Sequence, residues 1–140
     1  MNPAEGSRGY SSIYANDGIG TGHARSMLDS VQGWSAGTNA KGQWVQMDLG
    51  KTMCVSGAVT QRRKSDNQRV TSYKISHSTD GSSFTELSPV FLGNVASDES
   101  KIKNSLGAVQ ARYIRVIVQK WEHHISMRAG VIAGEAGIFS

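Results

Sequence analysis

The sequence predicts an all-β fold, on the basis of hydrophobic periodicity, glycine content and length. Apolar residues recur at every second position and almost nowhere with the 3.6-residue period of a helix. Glycine accounts for 16 of the 140 residues and hydrophobic residues for 38%, a balance typical of a globular protein rich in turns. We therefore expect one domain over residues 1–140, with few and short helices.

The first clear strand pattern lies at residues 43–49. Alternate apolar residues there share one face: Val45, Met47 and Leu49. The pair at 50–51 begins with glycine and is expected to end the strand in a turn, and residues 55–61 predict a further strand.

The sharpest local pattern is a β-hairpin in the middle of the chain. Alternate positions of residues 70–78 fall on one side of a strand: Thr71, Tyr73, Ile75 and His77. Residues 79–82 follow, and Gly81 supplies the positive φ that a tight turn needs before Phe84.

Three later segments also read as strands, at residues 90–92, 113–118 and 125–131. In the last two, alternate residues form apolar faces: Ile114, Val116 and Val118, then Ile125, Met127, Ala129 and Val131.

Long polar or glycine-bearing intervals separate these strands. They are predicted as loops at residues 15–23, 36–42, 61–69, 93–104 and 119–124. Long loops in a compact β domain commonly carry its function, so the candidate ligand-binding residues are sought there.

Composition restricts the partners and the compartment. Cys54 is the only cysteine, so no internal disulfide can form. The net charge of +4 and pI of about 9.4 favour anionic partners such as acidic glycans or lipid headgroups. Nucleic acid is not expected, because the sequence shows no RNA-stacking signature and no basic helix.

No stretch approaches the roughly 20 apolar residues of a membrane span, and residues 1–6 do not resemble a signal peptide. We therefore expect a cytoplasmic or non-classically exported protein.

Several segments, in order, resemble the discoidin family, also called coagulation factor V/VIII type C domains. They are residues 11–14, 24–28, 33–36, 43–50, 55–62, 70–75, 80–84, 111–116 and 121–128. The resemblance implies an eight-stranded distorted jelly-roll, a β-sandwich or barrel related to galactose-binding carbohydrate-binding modules. It also implies that ligands bind to loops protruding at one end.

The chain departs from this family in two ways. Extracellular members usually join their termini with a cysteine pair, which is absent here. Phospholipid-binding members present large apolar side chains at their loop tips, whereas the loop at 15–23 offers only Ile19 and the loop at 61–69 offers none. Insertion into a membrane is therefore disfavoured.

These two loops instead contain amides, carboxylates and guanidinium groups, which hydrogen-bond sugar hydroxyls in fixed directions. The candidate ligand-binding residues are Asn16, Asp17 and His23 on the first loop, and Arg62, Arg63, Asp66 and Asn67 on the second. The alternative is that they are ordinary solvated turn residues.

Aromatic and charged residues on the strands divide between binding and structural roles. Trp121 is a candidate for stacking on a sugar ring, although packing against the barrel end is the stronger alternative. Trp34 and Trp44 are expected to be structural, with their indole N–H groups hydrogen-bonded. Asp48 and Arg128 are expected to be structural residues held by buried hydrogen bonds or charge pairs.

Three motif-like strings do not predict chemistry. Residues 33–37 satisfy the G-x-S-x-G pattern, but they continue as a loop rather than between a strand and a helix. The glycines at 18–22 lack the strand and helix of a phosphate-binding loop. His123 and His124 are adjacent, so in an extended segment they point to opposite faces and do not chelate one ion.

Calcium is a further candidate, because related carbohydrate-binding modules often hold the ion near the first long loop. Asp29 is the residue in this chain that would contribute. Against it, Gly130 stands where the family has a late glutamate, so a usual oxygen ligand is missing. No cofactor is required by the sequence.

The function predicted from the sequence is non-catalytic, lectin-like recognition of glycans through the loops at one end. The alternative is an adhesion module that binds anionic phospholipid or protein. An enzyme is not expected, because no matched pair of titratable groups can be assembled from the sequence. Homo-oligomers would fit either function, since isolated lectin sites are weak and gain from multivalency.

Overall fold

The structure is a computed structural model that describes residues 1–135. Eight strands form it: β1 (Arg8–Tyr10), β2 (Trp34–Ser35), β3 (Trp44–Gln61), β4 (Arg69–Ser78), β5 (Thr85–Glu86), β6 (Phe91–Leu92), β7 (Ile102–Glu122) and β8 (Ser126–Glu135). The helical content of the described residues is limited to two 3-10 turns, Glu5–Ser7 and Tyr14–Asn16. No helix among them is long and apolar enough to span a membrane. The predicted eight-stranded all-β fold is confirmed.

The strands pair antiparallel in the order β2-β8-β3-β7-β4-β5, while β1 adds to β3 and β6 adds to β4. The two longest strands, β3 and β7, pair with each other over most of their length. The first part of β3 also pairs with β1, and its second part with β8. β3 and β7 therefore link the pairings with β1 and β8 to the pairing with β4 in one sheet.

The predicted apolar faces point into that core. The alternate apolar residues predicted for these strands are all buried: Val45, Met47 and Leu49 in β3, Ile114, Val116 and Val118 in β7, Ile125 just before β8, and Met127, Ala129 and Val131 in β8. Trp34 is fully buried, stacks on Tyr10 and donates its indole N–H to the carbonyl of Ser12 at 2.8 Å. Period-two burial on this scale removes enough apolar surface from water to hold the sheet together.

The predicted hairpin is confirmed. β4 pairs with β5, and Gly81 has a φ of 81° in the turn between them. The Asp80 carboxylate accepts hydrogen bonds from the backbone N–H groups of Ser82 and Ser83 at 2.8 and 2.9 Å. These bonds lower the pKa of Asp80 below its ordinary value.

The prediction that the first strand ends at residues 50–51 is wrong, because β3 continues to Gln61. The pairing with β7 shifts register between Asp48 and Met53, and Gly50 adopts a φ of 85° at that irregularity. Its N–H is bonded to the Asp48 side chain at 2.8 Å. The local glycine signal therefore belongs to a bulge within one strand rather than to a turn between two.

The predicted loop at 119–124 is also mostly wrong. β7 extends to Glu122, where Arg69 of β4 pairs with it, and only residues 123–125 form the connection to β8. Pairing with the neighbouring strand keeps this polar segment extended.

Arg128 and Asp48 differ in how they are held. Arg128 is 2% exposed and donates to the carbonyls of Arg62 and Ser30 at 2.8 and 2.9 Å and to the Glu99 carboxylate at 3.0 Å. This matches the predicted buried network. Asp48, by contrast, lies at a partly exposed position, where Arg112 forms a two-pronged ion pair with it at 2.8 and 3.1 Å and lowers its pKa. The expected charge pair of Asp48 is therefore present, but it is partly exposed rather than buried.

Candidate functional site

Three loops meet at one end of the barrel and enclose a cavity of about 300 Å³. They are the segment that follows Ile13, the connection between β3 and β4, and the turn between β7 and β8. The side chains that line the cavity are Tyr14, His23, Ser35, Arg63, Gln68 and His124. All six are polar or can hydrogen-bond, and two of them are imidazoles.

Asp17 holds the first loop closed from behind the cavity. Its Oδ2 accepts the backbone N–H of His23 at 2.9 Å and lies 2.7 Å from His23 Nδ1. These two hydrogen bonds, the backbone bond first, lower the pKa of Asp17 below its ordinary value. Gly22 permits this arrangement, since a Cβ there would lie 2.2 Å from Asp17 Oδ2 and its φ is 48°.

Tyr14 connects the two imidazoles of the cavity. Its ring meets His23 edge-on, with 4.9 Å between centroids, and His124 edge-on at 5.9 Å. The phenol is half exposed. Tyr14 therefore offers both an aromatic surface and a hydroxyl group to a ligand.

His124 is fixed through both ring nitrogens. Nδ1 lies 3.1 Å from Asn39 Nδ2, and Nε2 lies 2.9 Å from the carbonyl oxygen of Ala36. The amide nitrogen of Asn39 can only donate, so Nδ1 accepts a hydrogen bond from it. Nε2 therefore carries the N–H that donates to the carbonyl oxygen of Ala36. The ring orientation of His124 is therefore set by Asn39 and Ala36.

Arg63 contributes the cationic wall of the cavity. Its Nη1 donates to Gln68 Oε1 at 3.0 Å, and its backbone N–H donates to the carbonyl of Gln68 at 3.3 Å. Its Nε is buried and, among residues 1–135, is bonded to no protein acceptor. Arg63 and Gln68 thus form a paired wall that carries one positive charge.

Arg62 has the opposite orientation. Its Nη1 donates to the backbone carbonyls of Arg63, at 3.0 Å, and Asp66, and its Nη2 lies 3.8 Å from Glu99. Its own carbonyl accepts from Arg128. Arg62 therefore stabilises the loop, whereas its neighbour Arg63 lines the cavity.

Of the candidate residues, the structure brings His23 and Arg63 together at the cavity, with Asp17 directly behind His23. The remaining loop candidates do not line it: Asn16, Arg62, Asp66 and Asn67. Asn16 has a positive φ of 54° in the 3-10 turn, and Asn67 accepts a hydrogen bond from Arg69. These four residues shape the loops that carry the cavity.

Trp121 lies elsewhere, near the end of β7. It is half-buried, packs against the core, and borders a separate open groove of about 330 Å³ together with Thr71, Gln119, Lys120 and Glu122. Trp44 is also half-buried, and the Arg115 guanidinium lies 4.1 Å from the centroid of its ring and 3.9 Å from that of Phe84. Neither tryptophan contributes to the cavity lining.

Asp29 is engaged by protein groups. Its Oδ2 lies 2.6 Å from Lys101 Nζ and its Oδ1 accepts from Gln61 Nε2 at 3.1 Å, which lowers its pKa. Gly130 is closely packed, as a Cβ there would lie 2.5 Å from Leu28. Within residues 1–135, no three His, Cys, Asp or Glu side chains cluster as a metal site. Calcium at Asp29 stays a prediction of the resemblance.

Sequence reasoning missed four lining residues: Tyr14, Ser35, Gln68 and His124. Ser35 was considered only as a nucleophile; its hydroxyl donates to Ser126 at 3.2 Å. Tyr14 and His124 were both visible in the sequence, in segments that resemble the family. Both lie at the ends of predicted long loops, and that position is the sequence signal that could have identified them. In the structure Tyr14 contacts His23, and His124 is bonded to Asn39.

An apolar residue was missed as well. Val31 is 73% exposed and Ile19 is 51% exposed. Val31 belongs to the segment that packs beside the Arg63 loop, because a Cβ on Gly33 would lie 3.1 Å from the Cα of Arg63. The loop end therefore presents isolated aliphatic side chains beside its basic residues.

Known proteins resemble this chain both in sequence and in structure. The chain is 34% identical over 105 residues to lactadherin from Rattus norvegicus, which covers 70% of the chain and 25% of lactadherin. It superposes on discoidin II of Dictyostelium discoideum with a TM-score of 0.68 and 24% identity, covering 87% of the chain and 48% of that protein. A carbohydrate-binding module of Clostridium perfringens, solved with GalNAc-β-1,3-galactose, gives a TM-score of 0.69 at 16% identity, covering 96% of each chain.

The two superpositions confirm the jelly-roll sandwich, and the chain spans about a quarter of the length of lactadherin. Domains of these types are typically non-catalytic binding modules. The model of the F5/8 type C domain family matches residues 10–131. The chain therefore belongs to the F5/8 type C, or discoidin, domain family.

Proposed function

We propose that this domain is a non-catalytic carbohydrate-binding module that recognises a glycan in the cavity between Tyr14, His23, Arg63 and His124. The observation that carries the proposal is the convergence of these side chains from three separate loops on one cavity of about 300 Å³. A monosaccharide unit fits a space of this size, and the binding sites of small molecules are commonly concave with a few oriented polar groups.

The chemistry of the lining suits sugar hydroxyls. His23 is bonded to Asp17 through Nδ1, and none of the residues 1–135 is hydrogen-bonded to its Nε2. Arg63 donates through its remaining N–H groups, Gln68 supplies an amide, and Tyr14 supplies a ring against aliphatic C–H groups. Donors, acceptors and an apolar edge are therefore present within one small space.

The same geometry argues against hydrolysis. The Ser35 hydroxyl donates to Ser126 rather than to a histidine. His124 donates from Nε2 to a backbone carbonyl, so it is not oriented as a base towards a nucleophile. We therefore propose binding without chemical change of the ligand.

A glycan array followed by calorimetry with galactose and GalNAc-β-1,3-galactose tests the proposal. We expect saturable binding that His124→Ala weakens, because it removes the ring that packs against Tyr14, and that His123→Ala leaves intact. His123 is the matched control, because it is the exposed neighbour of His124 and does not line the cavity. Binding that survives both His124→Ala and Arg63→Ala would place the ligand elsewhere.

Anionic phospholipid is the second candidate, supported by the exposed aliphatic side chains of Val31 and Ile19. Aliphatic side chains inserted between headgroups, with arginines near the surface, are a usual means of membrane attachment. Flotation with vesicles that contain phosphatidylserine discriminates the two. Lipid binding should depend on Val31 and fall with salt, whereas glycan binding should not depend on Val31.

A further inference from the structure

Arg63 lines the cavity without a carboxylate partner. Its hydrogen bond goes to the neutral amide of Gln68 at 3.0 Å, and it takes part in no ion pair among residues 1–135. Its Nε is buried and has no acceptor in this part of the chain. A cation that is partly removed from water and has no carboxylate partner is stabilised when an anion pairs with its guanidinium group.

Two acidic residues near the cavity, Asp17 and Glu99, are already engaged by other partners. The Asp17 carboxylate is bonded to both the backbone N–H and the ring Nδ1 of His23. Glu99 lies at 3.0 Å from Arg128, 3.8 Å from Arg62 and 4.0 Å from Lys64. Neither Asp17 nor Glu99 forms an ion pair with Arg63.

Nearby cations reinforce the imbalance. Arg25 donates to the carbonyl of Gly22 at 3.1 Å, and Arg69 donates to the Asn67 amide, so both bond to neutral acceptors. The whole chain carries +4. The potential at the loop end is consequently positive, which attracts anionic ligands.

We infer that the glycan bound in this cavity is acidic, and that a carboxylate or sulfate ester on the sugar pairs with Arg63. This inference rests on the proposed function and narrows its substrate class. The planar guanidinium matches the geometry of either oxyanion, and hydrogen bonds between charged partners are about twice as strong as neutral ones.

The test uses matched pairs of oligosaccharides. Galacturonate, glucuronate, mannuronate and guluronate tetrasaccharides are each compared with their carboxyl-reduced counterparts, and sulfated galactan fragments with their desulfated forms. We expect at least one acidic member to bind about tenfold or more tightly than its neutral partner, with an advantage that shrinks as salt rises. The uronate and sulfate series separate the two sources of negative charge.

Variants then assign the preference to Arg63. Arg63→Gln should abolish the difference within a pair, and Arg63→Lys should retain part of it. Lys51→Gln is the control, because it removes the same charge from an exposed ion pair with Glu135. It should leave the preference unchanged.

The outcomes separate this inference from the proposed function. Equal binding of both members in every pair, or loss of both together in Arg63→Gln, would overturn the acidic preference while the carbohydrate site stands. Binding of phosphatidylserine vesicles without binding of any oligosaccharide would overturn both.

Discussion

The carboxylate of Asp17 spans the first loop and holds His23 by two contacts, one to the backbone N–H at 2.9 Å and one to Nδ1 at 2.7 Å. The first contact fixes the backbone of the loop and the second fixes the ring. His23 therefore enters the cavity in one orientation, set by a residue that does not itself line the cavity.

Gly22→Ala should disrupt this contact. The new Cβ would lie 2.2 Å from Asp17 Oδ2, and φ there is 48°. We expect ligand affinity to fall about tenfold or more, because His23 loses its support. Calorimetry measures the affinity.

Gly20→Ala is the matched control in the same loop. Its φ is also positive, at 86°, but the nearest atom to its Cβ would be 3.7 Å away. It should cost far less affinity. Equal losses in both variants would show that backbone strain, and not the Asp17–His23 contact, is the sensitive feature.

The Asp17 carboxyl should titrate below its ordinary pKa of 3.8. The lowered pKa means that the contact is intact above 3.8 and is lost only as the pH falls through the lower folded value. A pH titration of the side-chain carboxyl carbon by NMR measures it. A midpoint at or above 3.8 would contradict the hydrogen bonds to His23.

Asn39→Asp should change the protonation of His124. The amide of Asn39 lies 3.1 Å from Nδ1, and its Oδ1 accepts the N–H of Ile125 at 2.9 Å. A carboxylate preserves the second bond but cannot donate the first, so it favours a proton on Nδ1. Nitrogen-15 spectra of the imidazole should show the neutral Nε2–H form in the wild type and increased protonation of Nδ1 in the variant.

Arg128→Met should destabilise the whole domain by about 3 kcal/mol, because it leaves the carbonyls of Arg62 and Ser30 and the Glu99 carboxylate without their donor. Urea denaturation measures the loss. Arg112→Met serves as the comparison, since its partner Asp48 is on the surface. A loss in Arg112→Met as large as that in Arg128→Met would contradict the distinction between a buried network and a surface pair.

The sequence is sufficient to predict the inward faces of the strands, because burial at every second residue is written directly in the hydrophobic pattern. The sequence pattern misplaces the end of the first strand at Gly50. A glycine with positive φ occurs both in turns and at irregularities within a strand, so the residue alone does not distinguish them. The outcome depends on pairing with β7, more than 60 residues away in the chain. Long-range pairing of this kind leaves no local trace.

The candidate site shows the same division. Two of the three loops that meet at the cavity, at residues 15–23 and 61–69, are evident in the sequence from their length and polarity. The sequence does not show which of Arg62 and Arg63 lines the cavity. That depends on Arg128 and Glu99, which bind Arg62 away from the cavity. The sequence excludes His124 only from a metal pair with His123 and does not reveal that it lines the cavity, where its two ring hydrogen bonds hold it.

The most direct test is to titrate the nitrogen-15-labelled domain with the oligosaccharide that gives the strongest array signal. We predict that the largest amide shift changes fall on residues 14–23, 63–68 and 124, which lie around the cavity. Residues 119–122, beside the separate groove at Trp121, should remain unchanged. Shift changes concentrated at that groove, with the three loops unaffected, would contradict the account.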